Sequence, residues 1–197
     1  MDLAQQLLQT RSVQIRPHEP FRLTSGRLSP VYVDIRRLIS FPEVRVFIID
    51  SFAQIVRERI GLAAIDVIAG GETAGIAYAA FLAQKLEKPM IYVRKEPKEY
   101  GRSSQVEGVL ELGQRVLLVE DLVTDGGSKL AFKRGIEMAG GRVHHCLCVF
   151  EYFSQEAGLH RARDTLKEHG IELHSLVNWD DVLRAARAEK SLTEAEI

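Results

Sequence analysis

The run Arg115-Val-Leu-Leu-Val-Glu-Asp-Leu-Val-Thr-Asp-Gly-Gly-Ser128 constrains this chain more than any other stretch. Val116–Val119 is an unbroken apolar run, the pattern of a strand buried on both faces of a sheet. Glu120 and Asp121 follow at once, where such a strand would have to end. A polar loop then passes through Thr124, Asp125, Gly126, Gly127 and Ser128. Beyond it, Leu130, Phe132, Ile136 and Met138 sit among Lys129, Lys133, Arg134 and Glu137, a partly amphipathic helix stopped by Gly140-Gly141. The unit is strand, acidic pair, glycine-rich loop, helix.

That order of residue types suits a phosphorylated sugar. Gly126 and Gly127 let backbone N–H groups converge, Thr124 and Ser128 add hydroxyl donors, and the start of a helix favours an anion. Carboxylates only accept hydrogen bonds, so the pair suits ribose hydroxyls or the waters of a magnesium ion. No Gly-Lys-Ser/Thr follows at Walker spacing. Gly-Gly-Ser by itself reads equally well as an ordinary turn with an acidic helix cap. The carboxylates in front shift the balance toward a ligand.

The rest of the chain alternates strands with helices. Phe21–Ile35 carries two short alternating apolar runs about Ser25-Gly26-Arg27, the chemistry of a hairpin. Pro42 opens a helix to about Arg59, with Val46, Ile49, Ala53 and Val56 on one face. Asp66–Gly70 is a strand ending at glycine, Gly71-Glu-Thr-Ala-Gly75 a turn, and Ile76–Leu86 a helix. The turn does not fit the dinucleotide fingerprint. Pro89–Val93 is a strand, and Arg94–Gln105 is a polar stretch with Pro97 and Gly101. A charge run like this usually reads as a plain solvated loop, but loops of this length inside a compact domain are uncommon and often act as lids. Val106–Leu112 is expected to pair with a neighbour, and Val143–Phe150 is a further strand. Gln155–His169 is helical, Ile171–Val177 an edge-type strand and Trp179–Ala188 a closing helix. His144 and His145 are adjacent in a strand, so they point to opposite faces and read as structural.

Charge and composition exclude several classes. Lys+Arg 26 against Asp+Glu 27 leaves a net charge of -1, so no bulk electrostatic case exists for nucleic acid or a membrane surface. The opening MDLAQQLLQTRS is too polar for a signal peptide. Cys146 and Cys148 share a strand face, are poorly placed to bridge each other, and have no further cysteine to build a zinc site with. A reduced, cytoplasmic protein is expected.

At Val119–Ser128 the chain resembles the type I phosphoribosyltransferases, whose hallmark is an apolar strand, two acidic residues and a Thr/Gly-rich loop for the ribose 5-phosphate of PRPP. The VEDLVTDGGS form is most similar to that of the orotate phosphoribosyltransferases. The segment Phe21–Asp34 also resembles their F-x-L-x-S-G-x-x-S-P-x-Y-x-D motif, and Arg94, Lys95, Lys98 and Gly101 resemble their R-K-x-x-K-x-H-G loop. The likeness spans roughly Phe21 to Phe150. It implies an α/β type I phosphoribosyltransferase fold, a mainly parallel central sheet flanked by helices with a small N-terminal hood. The chain would be one domain over 1–197, with hood approximately 1–40 and PRPP-binding core approximately 41–190.

The implied activity is glycosyl transfer: PRPP and orotate give orotidine 5′-monophosphate and pyrophosphate, in de novo pyrimidine (UMP) biosynthesis. The resemblance implies catalytic roles for Lys98, Glu120 and Asp121, and PRPP contacts from these and from Arg94, Lys95, Tyr100, Thr124, Asp125, Gly126, Gly127 and Ser128. It makes Gly71, Glu72, Thr73, Ala74 and Gly75 the pyrophosphate loop, and puts Tyr32, Val33 and Thr124 beside orotate. Magnesium would arrive on PRPP with no direct protein ligand, and a homodimer would share the lid across its interface. Thr24, Ala74 and Tyr100 stand where many relatives have lysine, lysine and histidine. Phe150-Glu151-Tyr152-Phe153 stands where an Asp-Arg pair usually addresses orotate, leaving Arg161 or Arg163 as substitutes. Two other readings compete: transfer to a purine-type base, and a non-catalytic PRPP-sensing regulator. The hood and lid motifs oppose the first and the missing arginine favours it; the absence of an added nucleic-acid-binding region opposes the second.

Overall fold

Burial on both faces decides where the strands lie. The computed structural model of the chain describes residues 1–16, 18–22, 26, 28–96, 105–155, 158 and 161–189, the Arg161 side chain excepted. The chain begins with α1 (Leu3–Gln9), β1 (Val13–Ile15), β2 (Phe21–Arg22), β3 (Leu28–Ser29) and β4 (Val31–Val33). A 3₁₀ turn over Ile35–Ser40 leads into α2 (Pro42–Ile55). Then come β5 (Val67–Gly71), α3 (Ala74–Leu86), β6 (Met90–Val93), β7 (Val106–Glu107), β8 (Arg115–Val123) and α4 (Gly127–Met138). The chain continues through β9 (Arg142–Glu151), α5 (Arg161–Glu168), β10 (Glu172–Asn178) and α6 (Trp179–Ala188).

A six-stranded sheet in the order β10-β9-β8-β5-β6-β7 forms the centre. All of its pairings are parallel except β6 with β7. Its two faces are read directly from β8. Leu117 and Val119 pack with Ile68, Leu147 and Val149 under α2, α3 and α6, whereas Val116 and Leu118 pack with Val67, Ala69, Cys146 and Cys148 against α4 and α5. Cys146 and Cys148 are free and buried on one face, as their spacing predicts. The sheet is therefore the middle of three layers, and every parallel strand delivers its carboxyl end to the same edge. From β5 the chain passes to β6 on one side, while β8 lies on the other, so a crevice opens where the order reverses.

Several details differ from the sequence-based expectation. β8 does not stop at Val119; it runs through both carboxylates to Val123, which pairs with Glu151 of β9. Val46 is 56% exposed, and the buried face of α2 is Val44, Ile48, Ile49, Phe52 and Ala53, because the i, i+4 stripe that meets α3 starts at Val44. The hairpin is limited to β2 with β3; β4 pairs instead with β1, in a separate two-stranded sheet. Val106–Leu112 supplies only the short β7. No helix among the described residues is long and apolar enough to cross a membrane.

Close approach of α3 to β8 requires a glycine. A Cβ on Gly75 would overlap the Val119 carbonyl oxygen and lie 2.6 Å from Glu120 Oε1. Gly75→Ala should therefore lower the unfolding free energy by about 1–3 kcal/mol, measured by denaturant titration, because neither partner can retreat without breaking the sheet. An unchanged midpoint would mean that α3 moves freely off β8.

Candidate active site

Neighbouring residues in a strand point to opposite faces, and this separates the two carboxylates. Glu120 turns toward α4, on the face of Val116 and Leu118, while Asp121 turns toward the N-terminal segment and α3. Both line a cavity of about 330 Å³ at the β5–β8 crevice. Its other walls are Val33, Asp34 and Arg36 at the end of the N-terminal segment, Glu72, Thr73 and Ala74 in the β5–α3 turn, and Lys95 after β6. Leu122, Thr124, Ser128, Lys129 and Phe132 close the floor.

The innermost contact is an ion pair. Lys129 Nζ lies 2.7 Å from Glu120 Oε2, and both side chains are more than nine-tenths buried. The ammonium also donates to the Leu122 carbonyl at 2.5 Å and to Ser128 Oγ at 3.2 Å. Three contacts match the three N–H donors of a protonated lysine. Burial pulls the Lys129 pKa down, but the charge and hydrogen bond of Glu120 outweigh it and leave it raised. Burial pushes the Glu120 carboxyl up, Lys129 pulls it back, and Asp121 pushes it up again. Geometry favours the ionised pair, since a neutral amine would leave one of those acceptors short of a donor. Gly71 and Gly75 leave the room that the carboxylate occupies: a Cβ on either would collide with Glu120 Oε1.

Among the described residues Asp121 has no such ion pair. Burial raises its pKa first, against the opposing charge of Lys129, the backbone amides of Asp121 and Leu122, and Arg36. Arg36 bonds Asp34 through Nε at 2.8 Å, its side chain 62% exposed.

The loop after β8 is shaped locally. Gly126 takes a φ of 84°, a left-handed conformation that glycine adopts without strain, and Asp125 Oδ1 accepts from the Gly127 amide at 2.9 Å. The β5–α3 turn contains a cis peptide between Glu72 and Thr73. Glu72 Oε2 accepts from the Lys95 amide at 2.8 Å, joining that turn to the start of the polar stretch. Gln105 closes the other end. Its carbonyl accepts from the Arg94 amide at 2.8 Å, and its Nε2 donates to the Arg94 and Lys95 carbonyls, both at 3.1 Å. The stretch thus leaves and returns at one point.

Of the expected site residues, Val33, Glu72, Thr73, Ala74, Lys95, Glu120, Asp121, Thr124 and Ser128 meet at the cavity. Asp125, Gly126 and Gly127 bridge Thr124 to Ser128, and Gly71 and Gly75 flank the β5–α3 turn. Tyr32 is not in the wall; its ring packs on Phe21 at 5.6 Å. Arg94 is not in the wall either, its guanidinium lying 3.8 Å from Glu107. Thr24, Lys98, Tyr100 and Gly101 lie outside the described residues. Arg163 is committed elsewhere: it pairs with the buried Glu151 at 2.6 Å and with Ser175 at 2.9 Å.

Lys129 and Arg36 are the residues that sequence reasoning missed. Lys129 was legible in principle, since it shares the 129, 132, 136 stripe with buried Phe132 and Ile136.

Comparison with known proteins agrees with this geometry. Residues 43–181 match the phosphoribosyl transferase domain. The chain is 49% identical to an orotate phosphoribosyltransferase of Cereibacter sphaeroides, covering 94% of this chain and 78% of the relative. It is 44% identical to one of Rhizobium meliloti, covering 98% and 84%. The crystal structure of orotate phosphoribosyltransferase from Aeropyrum pernix superposes with a TM-score of 0.79 at 29% identity, over 97% of this chain and 99% of that one. On these likenesses the chain belongs to the orotate phosphoribosyltransferase family.

Proposed function

We infer that this chain transfers the 5-phosphoribosyl group of PRPP to orotate, yielding orotidine 5′-monophosphate and pyrophosphate in pyrimidine biosynthesis. The observation that carries this is the cavity at the β5–β8 crevice, where an acidic pair, a glycine-turned loop and the β5–α3 turn converge in a member of this family. Orotate nitrogen forms a bond to ribose C1 as the bond from C1 to pyrophosphate oxygen breaks, and positive charge builds on the sugar between the two events. Asp121, partly buried and without an ion pair among the described residues, orients the ribose hydroxyls and opposes that charge. Glu120 is fixed by Lys129 and shapes the wall behind it. The amides and hydroxyls of residues 124–128 receive the 5-phosphate, and the turn at residues 71–75 faces the pyrophosphate.

Magnesium fits this site: Glu72 and Asp121 bring hard carboxylate oxygens to the wall, the donor type that ion prefers. When bound on PRPP it supplies neutralisation of the departing pyrophosphate. Lys95 and Lys98 add positive charge from the polar stretch, whose two ends are tied together at Gln105. Val33 and Thr124 flank the base, and Arg36 is the cation of the wall best placed to stand in for the missing Asp-Arg arginine. A cytoplasmic homodimer, each polar stretch reaching the partner's site, completes the reading.

The substrate test is a spectrophotometric assay of PRPP with orotate and with purine bases. Turnover of orotate alone is the expected result; turnover of a purine instead overturns the assignment. Asp121→Asn should lower turnover about 100-fold by removing oriented charge beside the reacting sugar. The same variant should unfold at a higher temperature than wild type near neutral pH. Because the folded-state pKa of Asp121 is raised, its contribution to stability is intact below the usual carboxylate value and is lost as pH rises through the folded pKa. The stability gap should close on acidification.

Sharing of the polar stretch is tested by mixing Lys98→Ala with Asp121→Asn under subunit exchange. Each alone should be nearly inactive, and random exchange should restore roughly a quarter of wild-type activity, since each mixed dimer regains one intact site. No recovery, with exchange verified, assigns the stretch to its own subunit.

A further inference from the structure

A second cluster of chemically active side chains lies away from the cavity. His145 of β9 stands opposite Glu172 of β10 in the parallel register, and His174 is two residues further along β10, on the same face. Strand alternation separates His144 from His145, as the sequence indicates, but it also sets His145 beside a histidine from the next strand. His145 Nδ1 lies 3.2 Å from His174 Nε2. Glu172 Oε2 is 3.6 Å from His145 Nδ1, and Oε1 is 3.9 Å from His174 Nε2.

Two explanations bear on these spacings. As a hydrogen bond the two rings satisfy each other, one nitrogen donating and the other accepting, but the Glu172 carboxylate stays outside hydrogen-bond range of both. For coordination, a tetrahedral ion with bonds of about 2.0–2.1 Å separates its ligands by about 3.3–3.5 Å, near the His145–His174 and His145–Glu172 distances, and the exposed Glu172 side chain needs only a small shift to bring one oxygen to both rings. The donor atoms converge within 4.8 Å of one another. Imidazole with carboxylate selects borderline divalent transition metals over magnesium or calcium.

We propose that His145, Glu172 and His174 form a zinc-binding site that clamps β10 to β9. A surface cleft lined by His144, His145, Lys167 and Glu172 borders the cluster. Arg59 and Arg163 act on His174 with positive charge, and Glu172 offsets them. His145 precedes Glu151, at the carboxyl end of β9, by six residues, or roughly 20 Å along the strand. The ion therefore stabilises the sheet edge and takes no part in phosphoribosyl transfer.

The test uses chelator-stripped protein titrated with Co²⁺ under excess Mg²⁺, which competes for any weak carboxylate sites. Wild type should take up one equivalent, show the intense visible bands of tetrahedral cobalt, lose them to added Zn²⁺, and melt at a higher temperature with Zn²⁺ than with chelator. His145→Asn and Glu172→Gln, at less buried positions than His174, should each weaken Co²⁺ binding at least about tenfold and abolish the Zn²⁺-dependent rise in melting temperature, with orotate turnover unchanged. Absence of saturable Co²⁺ uptake in wild type, or uptake unaffected by both variants, overturns the site.

Discussion

The buried contact between Glu120 and Lys129 is the interaction on which the functional end of this fold depends. A carboxylate at the end of a fully buried strand would ordinarily be neutralised or expelled, because desolvation of an isolated charge far exceeds what packing returns. Lys129 reaches it from the first turn of α4 and also donates to the Leu122 carbonyl and the Ser128 hydroxyl. One ammonium thus ties the strand, the loop and the helix that form the cavity floor. The arrangement also needs space, and Gly71 and Gly75 supply it where any side chain would strike the carboxylate. Glycines in the β5–α3 turn therefore serve the acidic pair as much as their own turn.

Topology accounts for the position of the cavity. The reversal of strand order at β5–β8 leaves no crossover covering the carboxyl ends of those two strands. The N-terminal segment fills part of that opening with Val33, Asp34 and Arg36, and the turn after β5 fills another. What remains exposes Asp121, whose raised pKa marks an unfavourable charge retained at the site. Strands bound the cavity on one side, and on the other the two ends of the polar stretch are tied together at Gln105.

The strand, acidic pair, loop and helix were legible because each is encoded locally. Four apolar residues, two carboxylates and two glycines need no knowledge of distant contacts. Legibility failed where a partner was non-local or a polar residue was buried. Alternation in residues 21–35 shows which side chains share a face but not that β4 pairs with β1 rather than with the hairpin. Lysines are usually solvated, so nothing in composition singles out Lys129, although its spacing to Phe132 and Ile136 puts it on the buried stripe. Val46 was misplaced by choosing the wrong one of two overlapping helical stripes. His145 and His174 are 29 residues apart, and only the β9–β10 register brings them together.

If the Glu120–Lys129 pair organises the site, its members must be energetically coupled. A double-mutant cycle of unfolding free energies for Lys129→Met, Glu120→Gln and the combined variant measures that coupling directly. Lys129→Met should lose about 3–5 kcal/mol by leaving a buried carboxylate without its cation, and the combined variant should regain most of that loss. Additive losses, or a Lys129→Met protein as stable as wild type, would contradict the account.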